Sequence, residues 1–123
     1  MKKNIDLMSE YSVHIMSLAK NAEKQAFRHS VEVPTVMVEN VDKLECTLDY
    51  PLKYEHTFEI PLKKYNYGEE TLIDVDSICI AIAKEYQMLW RKHNSWFTLH
   101  HWGDLYIEGL VMRENVLGVY VGS

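Results

Sequence analysis

The sequence predicts a single α+β domain in which two helices pack on an antiparallel sheet, in the order α-β-β-β-α-β-β-β. Three observations lead there. Apolar residues recur at steps of three and four in two long segments, the mark of amphipathic helices. Between Pro34 and Pro61, and again after Trp96, the apolar period falls to two, the mark of half-buried strands. A length of 123 residues, with 47% apolar and 25% charged, suits one hydrophobic core and leaves no room for a second.

The first helix is expected from Ile5 to about Arg28. Met8, Tyr11, Ile15, Leu18, Ala19, Ala22 and Ala26 make its stripe, and no Pro or Gly interrupts it. Such a helix spans roughly 36 Å, about the diameter of a domain of this size, so it crosses the domain, breaks near Asn21 or projects toward a partner. Three strands follow, at about Thr35 to Val41, Leu44 to Tyr50 and Tyr54 to Leu62. With Pro51, Leu52 and Lys53 as the loop between the last two, Tyr50 faces Tyr54 and Cys46 faces Phe58. Leu44, Cys46, Leu48, His56, Phe58 and Ile60 then share one buried face with the two tyrosines.

After the turn-rich KKYNYGEE, helical spacing returns from Leu72 or Val75 to His93, with Val75, Ile78, Cys79, Ile82, Tyr86, Leu89 and Trp90 on one side. Asp74 or Asp76 can cap its start, and Arg91, Lys92 and His93 suit the negative end of its dipole. Ile80 and Ala81 on the other side imply that this helix is covered from two directions. The last third reads as strands at about Trp96 to His101, Leu105 to Met112 and Val116 to Val121. A three-residue loop, Arg113 to Asn115, would put Asn115 in the left-handed region it tolerates, with Val111 opposite Leu117, Gly109 opposite Val119 and Ile107 opposite Val121. Leu105, Ile107, Gly109 and Val111 would then face the core. The other face would carry Tyr106, Glu108, Leu110, Met112, Val116 and Tyr120, which is too apolar for a merely solvated surface.

Charge is unevenly spread. Residues 1–30 carry five Lys or Arg against three acids, residues 31–83 four against eleven, and residues 84–123 four against four, which together give the net −5. On the expected hairpin Glu45 lies opposite Glu59 and Asp49 opposite Glu55, and like charges so placed destabilise a sheet unless something compensates. Lys20, Lys24 and Arg28, at steps of four, are candidates for that role; a basic segment of another protein is the alternative. Nucleic acid is excluded as an expected partner, because a net negative chain without an arginine cluster has no phosphate footprint.

The ends and cysteines exclude further classes. Asp6 and Glu10 interrupt the start before a signal-like apolar stretch develops, and the longest apolar run, Ile78 to Ala83, is far short of a membrane span. Cys46 and Cys79 belong to no CxxC and form neither a disulfide framework nor a zinc pattern. The expectation is therefore a cytoplasmic protein without a membrane partner, cofactor or metal.

For chemistry, the tempting group is His100, His101 and Asp104, with His93 nearby. A His pair with a carboxylate can bind a metal or act as general base and orienter. On a strand, however, adjacent side chains point to opposite faces, which argues against a shared ion. Glu10 with His14 reads as a surface pair, and Glu69, Glu70, Asp74 and Asp76 lack the loop spacing of a calcium site. No glycine-rich phosphate loop, GxSxG or HExxH occurs. Aromatic residues crowd the last forty positions: Trp90, Trp96, Trp102, Tyr86, Tyr106 and Tyr120.

These readings converge on a small protein-binding or assembly module that forms a homodimer. Its contact residues are expected among Glu45, Asp49, Glu55 and Glu59 and among Tyr106, Leu110, Met112 and Tyr120. The alternatives are a small hydrolase or lyase using His100 or His101 with Asp104 beside Trp96 and Trp102, and a domain that binds a small ligand in an aromatic pocket.

Overall fold

The computed structural model describes residues 5–8, 12–21, 36–39, 42–62, 70–73, 75–98 and 100–123. Its elements are β1 (Ile5–Met8), β2 (Val13–His14), α1 (Ile15–Asn21), β3 (Val36–Glu39), β4 (Lys43–Leu48), β5 (His56–Pro61), β6 (Glu70–Ile73), α2 (Val75–His93), β7 (Tyr106–Arg113) and β8 (Val116–Gly122). The class is mixed α+β, with a long helix, a short helix and a six-stranded sheet in the order β1-β7-β8-β4-β5, with β2 on the same edge of β7 as β1. Within it β4 and β8 run parallel, so the sheet is mixed and not antiparallel throughout.

The expected first helix is corrected at its start. Ile5–Met8 and Val13–His14 are strands on β7, and the helix begins only at Ile15. Leu7, Val13 and Ile15 are buried while Asp6 and Ser12 are exposed, an alternation the three-and-four stripe had concealed. Ser, Tyr and Val are weak helix formers there, and the ladder groups along one edge of β7 require partners. The remainder of that expected helix, with Lys24 and Arg28, lies outside the described residues.

The middle of the chain divides differently from the expectation. β3 pairs with β6 in a separate two-stranded sheet instead of joining β4. β6 was read as turn and helix start; Thr71, Leu72 and Ile73 favour a strand once β3 supplies a partner. The β4–β5 hairpin has the expected register, with Cys46 opposite Phe58 and Glu45 opposite Glu59. Its ladder nevertheless ends at Leu48 and His56, and Tyr50 and Tyr54 are exposed. The loop they belong to finds its backbone partners elsewhere: the Lys53 N–H donates to the Trp96 carbonyl (2.7 Å), and the Thr98 N–H (3.1 Å) and hydroxyl (2.8 Å) donate to the Pro51 carbonyl. That docking also replaces the expected strand at Trp96–His101 by a 3-10 turn (Asn94–Trp96), a single bridge between Leu52 and Phe97, and a second 3-10 turn (Trp102–Asp104).

The C-terminal hairpin keeps one expected pair, Ile107 with Val121, and changes the rest. Its turn has two residues, Glu114 and Asn115, and the left-handed residue is Glu114, with φ 57°. Val111 therefore faces Gly118. A β-bulge at Glu108 reconciles this turn with the retained pair, since Ile107 opposes Val121 and Gly109 opposes Tyr120. Beyond the bulge the strand reverses its faces. Leu110 (0% exposed) and Met112 (1%) point into the core, and Val111 points out.

One face of the large sheet carries the core. Leu44, Cys46, Leu48, Ile60, Ile107, Leu110, Met112 and Leu117 share one buried cluster with Ile15 and Leu18 of α1 and with Val75, Ile78, Cys79, Ile82, Ala83, Tyr86 and Leu89 of α2. Each fully buried Leu or Ile contributes about 1.5–3 kcal/mol relative to exposure. Ile80 and Ala81 are half-buried and α1 packs against α2, so the long helix is covered from more than one side. No helix among the described residues is long and apolar enough to cross a membrane.

Candidate functional site

Among the described residues the opposite face of the sheet is left open, and register fixes what lies on it. Where side chains of paired residues share a face, one row across the strands reads Arg113, Val116, Glu45, Glu59, and the next reads Asp6, Val111, Gly118, Thr47, Thr57. Thr47 and Val111 are half-exposed and the others are exposed. Below them Tyr120 (61% exposed) lies across Gly109, where a Cβ would stand 3.2 Å from its Cδ2. The Glu108 carboxylate lies over Gly122 in the same way, occupying the place of a side chain there. Val116, Tyr106 and Tyr120 are three of the exposed large apolar side chains of the described residues.

Of the residues expected at a contact, Glu45, Asp49, Glu55 and Glu59 are all exposed. Glu45 and Glu59 oppose each other on the sheet, while Asp49 and Glu55 belong to the β4–β5 loop, where Asp49 Oδ1 accepts from the Tyr50 N–H (2.8 Å). The compensating cation is Lys43, whose Nζ lies 2.6 Å from Glu59 Oε2. That hydrogen bond, then the Glu59 charge, raises the Lys43 ammonium above its ordinary pKa. Tyr106 and Tyr120 stand on the open face as expected. Leu110 and Met112 do not, because the bulge turns both inward, and they are core residues.

His100, His101 and Asp104 do not form a common centre. His100 Nε2 is 3.2 Å from the Tyr50 hydroxyl, which is also 3.0 Å from Ser123 Oγ. His101 Nδ1 instead accepts from the Gly103 N–H (2.9 Å) as the cap of a 3-10 turn, with its ring 4.5 Å from Trp90. Asp104 is exposed, and only its backbone N–H meets His101, at the carbonyl. Trp102 is a core residue, and Trp96 is stacked on His93 at 4.0 Å, so the two do not flank a cleft beside the histidines.

Three long-range side-chain contacts escaped the sequence reading, two of them to backbone carbonyls. His14 Nε2 donates to the Gly103 carbonyl (2.6 Å), while Nδ1 lies 2.5 Å from the Ser17 hydroxyl. His56 Nε2 lies 3.1 Å from Glu85 Oε2, pinning β5 to α2. Tyr86 donates its hydroxyl to the Tyr50 carbonyl at 2.6 Å. Their partners are 89, 29 and 36 residues away, separations at which sequence spacing carries no signal.

Nucleophilic chemistry finds no support in the cysteines. Cys46 and Cys79 are buried and neither is in a disulfide. Burial, with a smaller contribution from the Glu85 charge, pushes the Cys46 thiol up to about 12, so it stays protonated at neutral pH. Among the described residues no three His, Cys, Asp or Glu side chains converge as a metal site. Comparison with protein-family models, curated proteins and solved structures finds no match for the chain.

Proposed function

We propose that the protein is a small cytoplasmic assembly module that works as a homodimer through the open face of its large sheet. The observation behind this reading is that face: five strands wide, with no helix over it among the described residues, and with Val116 (50% exposed) and Tyr120 standing from its central strand. Apolar side chains set among charged ones on an uncovered sheet face are the composition of a contact surface and not of a catalytic cleft. A basic segment of another protein is a weaker occupant, since Lys43 already neutralises part of the acidic patch. An enzyme using His100, His101 and Asp104 is disfavoured by the separate engagements of the two rings. Light scattering across the micromolar range tests the reading. A mass near 29 kDa, twice the 14.5 kDa of the chain, supports it, and 14.5 kDa throughout overturns it.

A further inference from the structure

The arrangement of charges on the open face points to the geometry of self-association. In the row Arg113, Val116, Glu45, Glu59, the two unlike charges Arg113 and Glu45 sit one strand to either side of β8, at the same height. Both side chains are exposed, and Arg113 has no ion pair among the described residues. Glu59 is held by Lys43 within the chain, whereas Glu45 faces it as a like charge, a placement unfavourable in an isolated sheet.

We infer that a second copy of the chain covers this face, sheet on sheet, about a two-fold axis running along β8, so that Arg113 of each copy meets Glu45 of the other. This deepens the assembly reading and rests on it. The axis follows from the row. A two-fold along β8 exchanges the strands on its two sides while keeping height, so it carries Arg113 over Glu45 twice, as an isologous contact must. On the next row it sets Gly118 against Gly118, letting the two central strands approach closely, and it sets Val111 against Thr47. Any axis across the strands would instead break this row-by-row match. Five strands at ~4.8 Å by about six residues at ~3.3 Å give roughly 500 Å² in projection, toward the small end of specific contacts, which fits association in the micromolar range.

The test is a charge exchange. Arg113→Glu and Glu45→Arg are each expected to weaken the dimer by at least about tenfold, because both symmetric contacts become repulsive. Mixed together, they are expected to form a heterodimer, since each then meets its opposite charge. Circular dichroism checks that both exposed variants keep the fold. As an independent readout, Val116→Cys, which falls against its own copy on this axis, is expected to cross-link into a covalent dimer with a thiol-specific bis-maleimide spanning about 10 Å, the spacing of packed sheets and too wide for a direct disulfide. If the unmodified protein is monomeric, the assembly reading and this one fall together. If it is dimeric, but the single variants remain dimers, the mixture fails to pair or Val116→Cys fails to cross-link, then only this geometry is overturned and another surface makes the dimer.

Discussion

Replacing Leu110 by Glu and, separately, Val111 by Glu asks which way β7 faces beyond its bulge. Leu110 is fully buried, so its replacement loses about 1.5–3 kcal/mol of apolar burial. The new carboxyl must also be neutral to remain inside. Protonating a group with an ordinary pKa of about 4.3 at pH 7 costs about 4 kcal/mol. The sum, about 5–7 kcal/mol, is comparable to the whole stability of a typical domain. At about 2.1 cal/mol/K per residue of unfolding entropy, a 123-residue chain loses about 4 °C per kcal/mol, so Leu110→Glu is expected to lower Tm by 20 °C or more. Val111→Glu, on the open face, is expected to change it by no more than about 4 °C when both proteins are melted at a concentration low enough to be monomeric, where the proposed dimer contact adds nothing. Lowering the pH from 7 to 5 should recover stability in Leu110→Glu but not in Leu110→Gln, because only the former carries the protonation cost. Thermal unfolding followed by circular dichroism reads all three. The bulge assignment is refuted if Leu110→Glu melts within a few degrees of the unmodified protein while Val111→Glu collapses.

Three further outcomes are expected. Glu114→Gly should stabilise by about 0.5–1 kcal/mol, about 2–4 °C in Tm, since φ of 57° costs a residue with a side chain and not glycine; no gain in a thermal melt contradicts the two-residue turn. Burial, reinforced by nearby charges, raises the Cys46 thiol from 9.0 and the Tyr86 phenol from 10.0, so both keep protons in the fold that the unfolded chain sheds above about pH 9. Their contribution is complete below that pH and is lost as pH rises toward 12, so stability should fall between pH 9 and 11 by up to about 1.4 kcal/mol per unit per group, read as a falling Tm that is less steep above pH 10 in Tyr86→Phe; a level profile contradicts it. Dialysis against a chelator should leave Tm unchanged, because His100 and His101 are turned to Tyr50 and Gly103; stoichiometric zinc on elemental analysis would revive a metal centre.

What the sequence disclosed depended on how far away each residue's partner lies. The β4–β5 register was legible because strict alternation on both sides of Pro51 leaves one pairing that buries Leu44, Cys46 and Ile60 together. The stripe of α2 was legible for the same local reason. β1 and β2 were not, since their partner β7 lies about a hundred positions on and their apolar residues fit a helical wheel equally well. The bulge left a trace: a glycine inside a strand, Gly109 beside Glu108, is a known mark of one, and weighing it would have turned Leu110 and Met112 inward. The open face was half-legible. Glu45, Glu59, Tyr106 and Tyr120 were identified, but Arg113 was taken for a loop residue because the turn was read one residue too long.

The parallel contact between β4 and β8 has a consequence for how the chain is assembled in time. Among the described residues it is what joins two otherwise separate antiparallel pieces, β4 with β5 and β1, β2 and β7 with β8, and it consists of three registered pairs from Glu45–Val116 to Thr47–Gly118. Those partners are 71 positions apart, the difference between 45 and 116. A hairpin completed near residue 61 must therefore wait, with one strand edge uncovered, until β8 has been synthesised. Ordering the long intervening chain before this seam closes makes it a late and slow step of folding. Amide exchange along β4 should accordingly report a weaker line through the sheet than the hairpins on either side, and loss of β8 should leave two fragments of a sheet instead of a smaller whole one.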